Sequence, residues 1–385
     1  MKIALVHKRL DHHGGTERDL FRTAEGLRDL GHEVHLFCSE YEVPPPKNVV
    51  AHRVPVIPLG RTLRLWTFAW FGRRAVEQAN YDVVVGFGRL PRQHVLRSGG
   101  GTHRGFLERM GQEGGLRRCI WQKFSLYHQS LLAIEKRQYR DLNSRKIVAV
   151  SQRAKWDIMA QYSVPGEKIV VLYNGVDLDR FHPAKRGESR DRIRNRWKVP
   201  CDAPLVLFVG SGFRRKGLDQ LLSLWNSPGL DRVFLLVVGA DARLDRYQAR
   251  ADVVAPGRVV FAGRQDDIEN YYAAADVVAL PSLQEAFGNA VLEALATGLP
   301  VLVSPDVGAA EILRGSLLQG IVDPNNGAEK IAAQLLGLLE RSKDPCSMRQ
   351  ARSLAEEYSW ENHFRKLEAL LLESCRSSVG ANTRI

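Results

Sequence analysis

No stretch of this 385-residue chain approaches the roughly 20 consecutive apolar residues that a membrane-spanning helix needs, so no spanning segment is expected. The opening run Met1-Lys2-Ile3-Ala4-Leu5-Val6-His7 is too short for a signal peptide and no cleavage site follows it. A cytoplasmic protein is therefore expected. Cysteine is scarce: five residues, Cys38, Cys119, Cys201, Cys346 and Cys375, stand far apart with no C-x-x-C pair. That spacing argues against a disulfide framework or a zinc site and leaves reduced structural thiols. The G-x-G-x-x-G of a dinucleotide site is missing, which counts against a nicotinamide or flavin enzyme. The Walker A order G-x-x-x-x-G-K-[S/T] is missing too, and no D-x-D pair stands at a strand end to hold a metal.

Acidic residues are short in one place only. Between Arg53 and Lys146 there are 18 basic residues against 6 acidic ones, while the rest of the chain holds 37 of each. The whole net charge of +12 thus belongs to one stretch. Such a field attracts nucleic acid, an anionic membrane surface or a phosphorylated substrate. What remains is ordinary for a globular protein of two or three domains: 44% hydrophobic and 25% charged residues.

The chain alternates strands and helices. Lys2–His7 predicts a buried strand, 11–15 a turn, Thr16 to about Leu30 a helix and Glu33–Ser39 a second strand. Asp82–Phe87 and Lys146–Ser151 predict further strands, with helical pattern over about Phe106–Leu142 between them. A second series follows: strands at Ile169–Leu172, Leu205–Gly210, Phe234–Gly239, Val259–Gly263, Asp276–Pro281, Pro300–Ser304 and Gly320–Asp323. Helices are expected at Leu218–Trp225, Ile268–Ala275, Phe287–Thr297, Ala309–Leu313 and Ala328–Leu339. Pro183–Arg196 reads as a helix or an exposed excursion, and Ser347–Cys375 as helix only. Strands alternating with helices argue for parallel sheets covered on both faces, so an α/β fold of two doubly wound domains flanking a cleft is expected. The boundaries are 1–170, completed by a helix in 360–385, and 171–359.

Three turns carry chemistry. Gly14-Gly15 joins a strand to a helix N-terminus, where exposed amides and the helix dipole suit a phosphate; a tight turn accounts for the glycines equally well. Gly210-Ser211-Gly212-Phe213-Arg214-Arg215-Lys216-Gly217 also opens a helix. Three cations there oppose the helix dipole, and a diphosphate would account for them, as would a solvated basic turn. In Pro281-Ser282-Leu283-Gln284-Glu285-Ala286-Phe287-Gly288-Asn289, the carboxylate of Glu285 falls at the C-terminal edge of a strand, where open α/β sheets bind ligands. Eight residues on, Glu293 sits among Val291, Leu292, Ala294 and Leu295, and a buried carboxylate needs a partner. An exposed helix carboxylate is the alternative.

Taken together, Glu285-x7-Glu293, Arg215-Lys216-Gly217, Asn174-Gly175-Val176-Asp177 followed by Phe181 and Pro183, and Gly14-Gly15 resemble the retaining glycosyltransferases of family 4, with the GT-B fold of two Rossmann-like domains. The resemblance covers almost the whole chain. Gly14-Gly15-x-x-Arg18-Asp19, Val85-Gly86-Phe87 and Gln284-Glu285-Ala286 look most like the family's lipopolysaccharide-core glucosyltransferases. The resemblance implies a nucleotide-sugar donor, UDP-glucose first and another UDP-hexose or GDP-mannose as alternatives, and a glycolipid or core-oligosaccharide acceptor. It implies that Glu285 and the amides of Ala286, Phe287, Gly288 and Asn289 hold the donor sugar and that Glu293 holds the ribose. Arg215 and Lys216, with Ser211 in the same turn and Gly14 and Gly15 on the other domain, would meet the diphosphate. Arg264 would lie by the base, Asn174 and Asp19 would line the substrate site, and His103 would stand near the reacting centre. His103 reads equally as a core or surface histidine. Where the core glucosyltransferases have an acidic residue beside the glycine triplet, this chain has Ser98-Gly99-Gly100-Gly101. No cofactor and no metal are expected, since two cations stand where a metal would act.

The basic stretch gains meaning from this. Residues 61–74 interleave Trp66, Phe68, Trp70 and Phe71 with Arg61, Arg64, Arg73 and Arg74. Residues 103–140 add Arg104, Arg109, Arg117, Arg118, Trp121, Lys123 and Tyr127. Such stretches lie on anionic membrane surfaces, so peripheral association with the inner face of the plasma membrane is expected. Core tryptophans with a solvated arginine face are the alternative. A nucleic-acid binder lacks a recognisable module here, and a GT-B sugar-nucleotide epimerase would share the donor chemistry without an acceptor.

Overall fold

The computed structural model describes residues 1–11, 14–109, 125–140, 144–323 and 326–376. Arg117, Arg118, Trp121 and Lys123 of the basic stretch lie outside them. Two compact units emerge, Met1–Asn174 with the chain from Glu361 onward, and Gly175–Trp360.

In the first unit, β1 (Lys2–Val6), β2 (Arg9–Leu10), β3 (Glu33–Cys38), β4 (Glu40–Tyr41), β5 (Val50–Arg53), β6 (Val83–Gly86), β7 (Val95–Ser98), β8 (Lys146–Ala149) and β9 (Ile169–Val171) follow one another. Seven of these form a parallel sheet in the order β5-β3-β1-β6-β7-β8-β9, and β2 pairs with β4 beside it. The central strands are short apolar runs because both faces are covered. Ile3 and Leu5 pack with Leu20, Ala24 and Leu27 of the Gly15–Asp29 helix and Leu367 and Leu371 of the Trp360–Arg376 helix. On the opposite face, Ala4, Val6 and Val84 pack with Phe68 and Val76 of the Gly60–Glu77 helix. The Leu126–Gln138 helix covers that helix in turn, through Leu131 and Ile134 against Leu65 and Ala69. Connections run one way from β1 and the other way from β6, so the sheet's switch point lies between these two strands.

The second unit repeats the plan with β10 (Leu205–Val209), β11 (Phe234–Val238), β12 (Val259–Gly263), β13 (Val277–Leu280) and β14 (Val301–Val303). They form a parallel sheet in the order β12-β11-β10-β13-β14, with its switch point between β10 and β13. Phe208, Phe213, Trp225, Leu235, Tyr247 and Leu335 belong to its core.

Several expectations are refined. Pro183–Arg196 contains the Lys185–Arg196 helix, which is fastened rather than exposed. Its Arg186, Arg190 and Arg194 stand at four-residue spacing on one face and converge on the buried Asp276 just before β13. Arg194 is fully buried, and its guanidinium also donates to the carbonyls of Ala274, Pro200 and Ala203. Asp276 Oδ2 accepts from the Leu205 N–H at 2.8 Å, which ties the ladder to the start of β10. Burial alone would raise the Asp276 carboxyl, but the three guanidinium groups hold it below its ordinary value. Gly320–Asp323 is not a strand: a 3-10 turn fills Gly315–Gly320, and a single bridge joins Ile321 to Val303. Ala309–Leu313 is likewise a 3-10 turn, Gly308–Ile312, too short to close an α-helix. The C-terminal helical pattern divides into Pro345–Glu356 and Trp360–Arg376. Elements that were not expected include β2, β4, β5, β7 and the helices Gly60–Glu77, Gln152–Tyr162 and Leu244–Val254.

Removing one partner of a buried charge cluster leaves the rest uncompensated. Asp276→Asn is therefore expected to cost about 3 kcal/mol of stability, read as a lower denaturant midpoint in chemical unfolding; an unchanged midpoint would show the ladder to be dispensable.

Candidate functional site

The site in the second unit is built across the β10/β13 switch point, from the loops that leave these two neighbouring strands. The loop after β10 runs from Gly210 to Gly217 and opens the Leu218–Ser223 helix. The loop after β13 runs from Pro281 to Gly288 and opens the Asn289–Ala296 helix. They are stitched together. The Leu283 N–H donates to the Arg215 carbonyl at 2.9 Å, and Arg215 Nη1 donates to the Gln284 carbonyl at 2.9 Å. Gly217 lies at φ +80°, and a Cβ there would collide with the Pro281 carbonyl, so only glycine lets the loops close.

Glu285 is the centre of this join. Its Oε2 accepts from Arg215 Nη1 and from Lys216 Nζ, each at 2.6 Å. The Glu285 side chain is 18% exposed and that of Lys216 12%. Burial would raise the carboxyl; Lys216 first and then Arg215 outweigh it and bring Glu285 down to about 2. Glu285 is thus a fixed anion at any working pH, fit to accept hydrogen bonds and unfit to act as a general acid.

Beside it, the backbone of Glu285 and Phe287 accepts from the N–H groups of Gly308 and Ala309 at 3.0 and 2.7 Å, which sets the turn's path. Gly288 takes φ +97° as the residue before the helix, so Asn289 rather than Phe287 begins it. Glu293 is therefore one turn into the helix. It is buried, and the Tyr272 hydroxyl donates to its Oε2 at 2.6 Å. Ser211 is exposed, and its Oγ accepts from the Ala240 N–H. Arg264 is exposed immediately after β12. Two residues of this neighbourhood escape sequence reasoning. Asp241 braces the cationic turn by accepting from the Phe213 N–H at 2.8 Å, and Tyr272 is the partner that Glu293 requires. An acid two residues after the glycine that follows a strand is the signal that could have marked Asp241; Tyr272 carries none.

In the first unit, Gly14 precedes the helix and Gly15 begins it, with open space above Gly15. Glu17 crowds Gly14, so the chain sets its own carboxylate against this helix N-terminus. Burial works against that carboxylate, but the hydrogen bond from His7 helps bring it down to about 2. Asp19 lies in the interior: its Oδ2 accepts from Arg97 Nε at 2.6 Å, and Arg97 Nη2 donates to Asn174 Oδ1 at 2.8 Å. Asp19 and Asn174 thus share one buried guanidinium. His103 opens a helical turn whose first N–H groups, those of His103 and Arg104, donate to the buried carboxylate of Glu135. Its Nε2 lies 3.0 Å from His128 Nδ1. Burial, then the charges of Arg89 and His128, bring His103 down to about 4, so it is neutral near pH 7.

Residues 189–354 match the family described as Glycosyl transferases group 1, and residues 13–180 match Glycosyltransferase Family 4. The lipopolysaccharide glucosyltransferase WaaG of Escherichia coli (strain K12) is 29% identical over 307 residues, 78% of this chain and 79% of its own. "Probable transglycosylase BTH_I0986" of Burkholderia thailandensis is 30% identical over 318 residues, 82% of this chain and 81% of its own. The crystal structure of WaaG, a glycosyltransferase involved in lipopolysaccharide biosynthesis, superposes with a TM-score of 0.79 at 24% identity, covering 96% of this chain and 99% of that one. The fold is GT-B, with two Rossmann-like domains.

Three histidines of the first unit, the buried His94 and His363 and the half-buried His103, are all held at about 4 by burial and nearby cations, against an ordinary value of 6.5. Their neutral forms belong to the folded state, so this stability is complete above pH 6.5 and fades as pH falls toward 4. The melting temperature is expected to be flat above pH 7 and to drop between 6.5 and 4, with His94 and His363 each costing on the order of 3 kcal/mol once fully protonated. A flat acid limb in a thermal titration would contradict this.

Proposed function

The chain belongs to the family-4 glycosyltransferases, and on that premise we propose that it moves glucose from UDP-glucose, with retention and without a metal, onto a lipopolysaccharide core or a related membrane-linked glycan. The observation that carries the reading is Glu285 fixed between Arg215 and Lys216 at a sheet switch point. Breaking the bond between the anomeric carbon and the diphosphate puts charge on the leaving phosphate. Arg215 and Lys216 meet that charge without reorganising, because Glu285 already holds them. The free Glu285 oxygen and the amides of Ala286 to Asn289 receive the sugar's hydroxyls, and Glu293 the ribose hydroxyls. The acceptor hydroxyl attacks from the face the diphosphate leaves, and its proton passes to the departing phosphate oxygen. Donor and acceptor identity rest on the likeness to WaaG.

Release of UDP from a panel of sugar nucleotides, with and without core-lipid acceptor, tests the reading. UDP-glucose should be preferred and acceptor-dependent. Lys216→Ala should lower kcat roughly 100- to 1,000-fold. A chelator should leave the rate unchanged; abolition restored by Mg²⁺ would overturn metal independence.

The acceptor reading extends to a membrane surface. No helix among the described residues is long and apolar enough to cross a membrane. The starts of the Gly60–Glu77 and Leu126–Gln138 helices meet where Arg61 stacks 4.2 Å over Tyr127. Around that contact Leu59, Leu63 and Leu126 are exposed, as is Trp70 two turns on, with Arg74 over its ring. Trp66 instead turns inward and donates to Ser130 Oγ. Exposed leucines and a tryptophan among cations fit the interface of an anionic bilayer. Binding to phosphatidylglycerol vesicles is expected to weaken with salt and to fall at least tenfold in a Leu59→Ser, Leu63→Ser, Trp70→Ser variant. Unchanged sedimentation with vesicles would remove the membrane from the reading.

A further inference from the structure

The first unit has its own switch point, between β1 and β6, and the loop that leaves β6 there is Phe87-Gly88-Arg89-Leu90. Both ends of the loop are pinned. The buried Phe87 donates its N–H to the Val6 carbonyl at 2.9 Å. Leu90 is fully buried, and its carbonyl accepts from Gln138 Nε2 at 3.0 Å. Between these anchors the backbone passes through Gly88 at φ +133° and Arg89 at φ +66°. A left-handed backbone is costly for a residue with a Cβ and persists only where its surroundings fix it. Here they set Arg89 at the C-terminal edge of the sheet, where open α/β sheets bind ligands.

Arg89 is half-buried, and among the described residues its guanidinium makes no hydrogen bond, ion pair or ring contact. Several other arginines of the basic stretch differ. Arg97 is taken up by Asp19, Arg104 by Glu108 and Arg109 by Asp157. The Arg89 charge acts on His103 and Tyr139. Glu135, which caps the His103 turn, already accepts from the N–H groups of His103 and Arg104 and from the Tyr162 hydroxyl. A guanidinium half-withdrawn from water and without a protein partner among the described residues is available to an anion that the chain does not supply.

We propose that Arg89 recognises a phosphate group carried by the acceptor, gripping two of its oxygens in the planar manner of an arginine fork. The assignment to the acceptor rests on the glycosyltransferase reading above; the capacity of Arg89 to bind phosphate does not.

The test uses the full chain with Arg89→Gly and Arg89→Lys. Glycine is at ease at φ +66°, so Arg89→Gly removes the guanidinium and keeps the turn. In the first arm, inorganic phosphate is titrated calorimetrically with UDP saturating. The wild type should bind it, Arg89→Gly roughly tenfold or more weakly, and Arg89→Lys in between. No binding by the wild type, or equal affinity in Arg89→Gly, overturns the proposal. In the second arm, UDP-glucose is transferred to lipopolysaccharide core with its phosphates and to the same core after phosphatase treatment. Arg89→Gly should raise the KM of the phosphorylated acceptor roughly 10- to 100-fold, leaving the donor KM and the dephosphorylated acceptor unaffected. Equal losses on both acceptors overturn the assignment to the acceptor. Affinity for phosphatidylglycerol vesicles should be the same in wild type and Arg89→Gly; a loss there would move the phosphate to a lipid headgroup and overturn it as well. Should the wild type transfer to neither acceptor, the reading of the substrate fails, and the first arm still decides whether Arg89 binds phosphate.

Discussion

A carboxylate withdrawn from water survives only if cations come with it. Glu285 meets that condition by drawing Arg215 and Lys216 to one oxygen, and much of the second unit follows from it. The cations belong to the loop after β10 and the carboxylate to the loop after β13, so the ion pair closes across neighbouring strands whose connections part in opposite directions. The loops approach so closely that Gly217 has no room for a side chain against Pro281. Three cations at a helix N-terminus, unfavourable in isolation, become a prepared site because one anion fixes two of them while leaving net positive charge.

The two units answer the same topological opportunity in different ways. At the β10/β13 switch point the charged groups satisfy one another and present a net cation. At the β1/β6 switch point Glu17 faces the Gly14 turn, while Asp19 and Arg97 pair below the surface and Asn174 accepts from the same guanidinium. Polar groups that motif reasoning assigns to a substrate can thus also bind one another. A family motif records which residues recur, not whether they touch the ligand or hold the residue that does.

How much was legible follows from where the information resides. Central strands such as Val83–Gly86 and Phe234–Val238 announce themselves, because burial on both faces demands unbroken apolar runs. The exposed β5 at the sheet edge has no such demand and left no pattern. Gly320–Asp323 has strand-like composition but lies beside β14 with a single bridge, since pairing depends on what the neighbouring chain offers. The paired glutamates and the cationic turn could be read because their chemistry is local in sequence. Tyr272 beneath Glu293 could not, because its role exists only once two helices are packed. The arginines at 186, 190 and 194 fell in a stretch read as a helix or an exposed excursion; only the fold supplies Asp276 and makes of them a buried ladder.

The same distinction separates net charge from available charge. In the basic stretch between Arg53 and Lys146, Arg64, Arg73, Arg97, Arg104 and Arg109 each face a carboxylate. Those pairs spend their field locally and add little at a distance, where salt screens what remains. Arg61, Arg74 and Arg137 lie instead over aromatic rings, which orient a cation without neutralising it. Arg89 has neither kind of partner among the described residues. The charge that pairs do not spend thus includes cations of the Gly60–Glu77 and Leu126–Gln138 helices and of the β6 loop. A count of residues measures the first quantity and binding depends on the second, so a charge of +12 speaks for an anionic partner only after the pairs have been found.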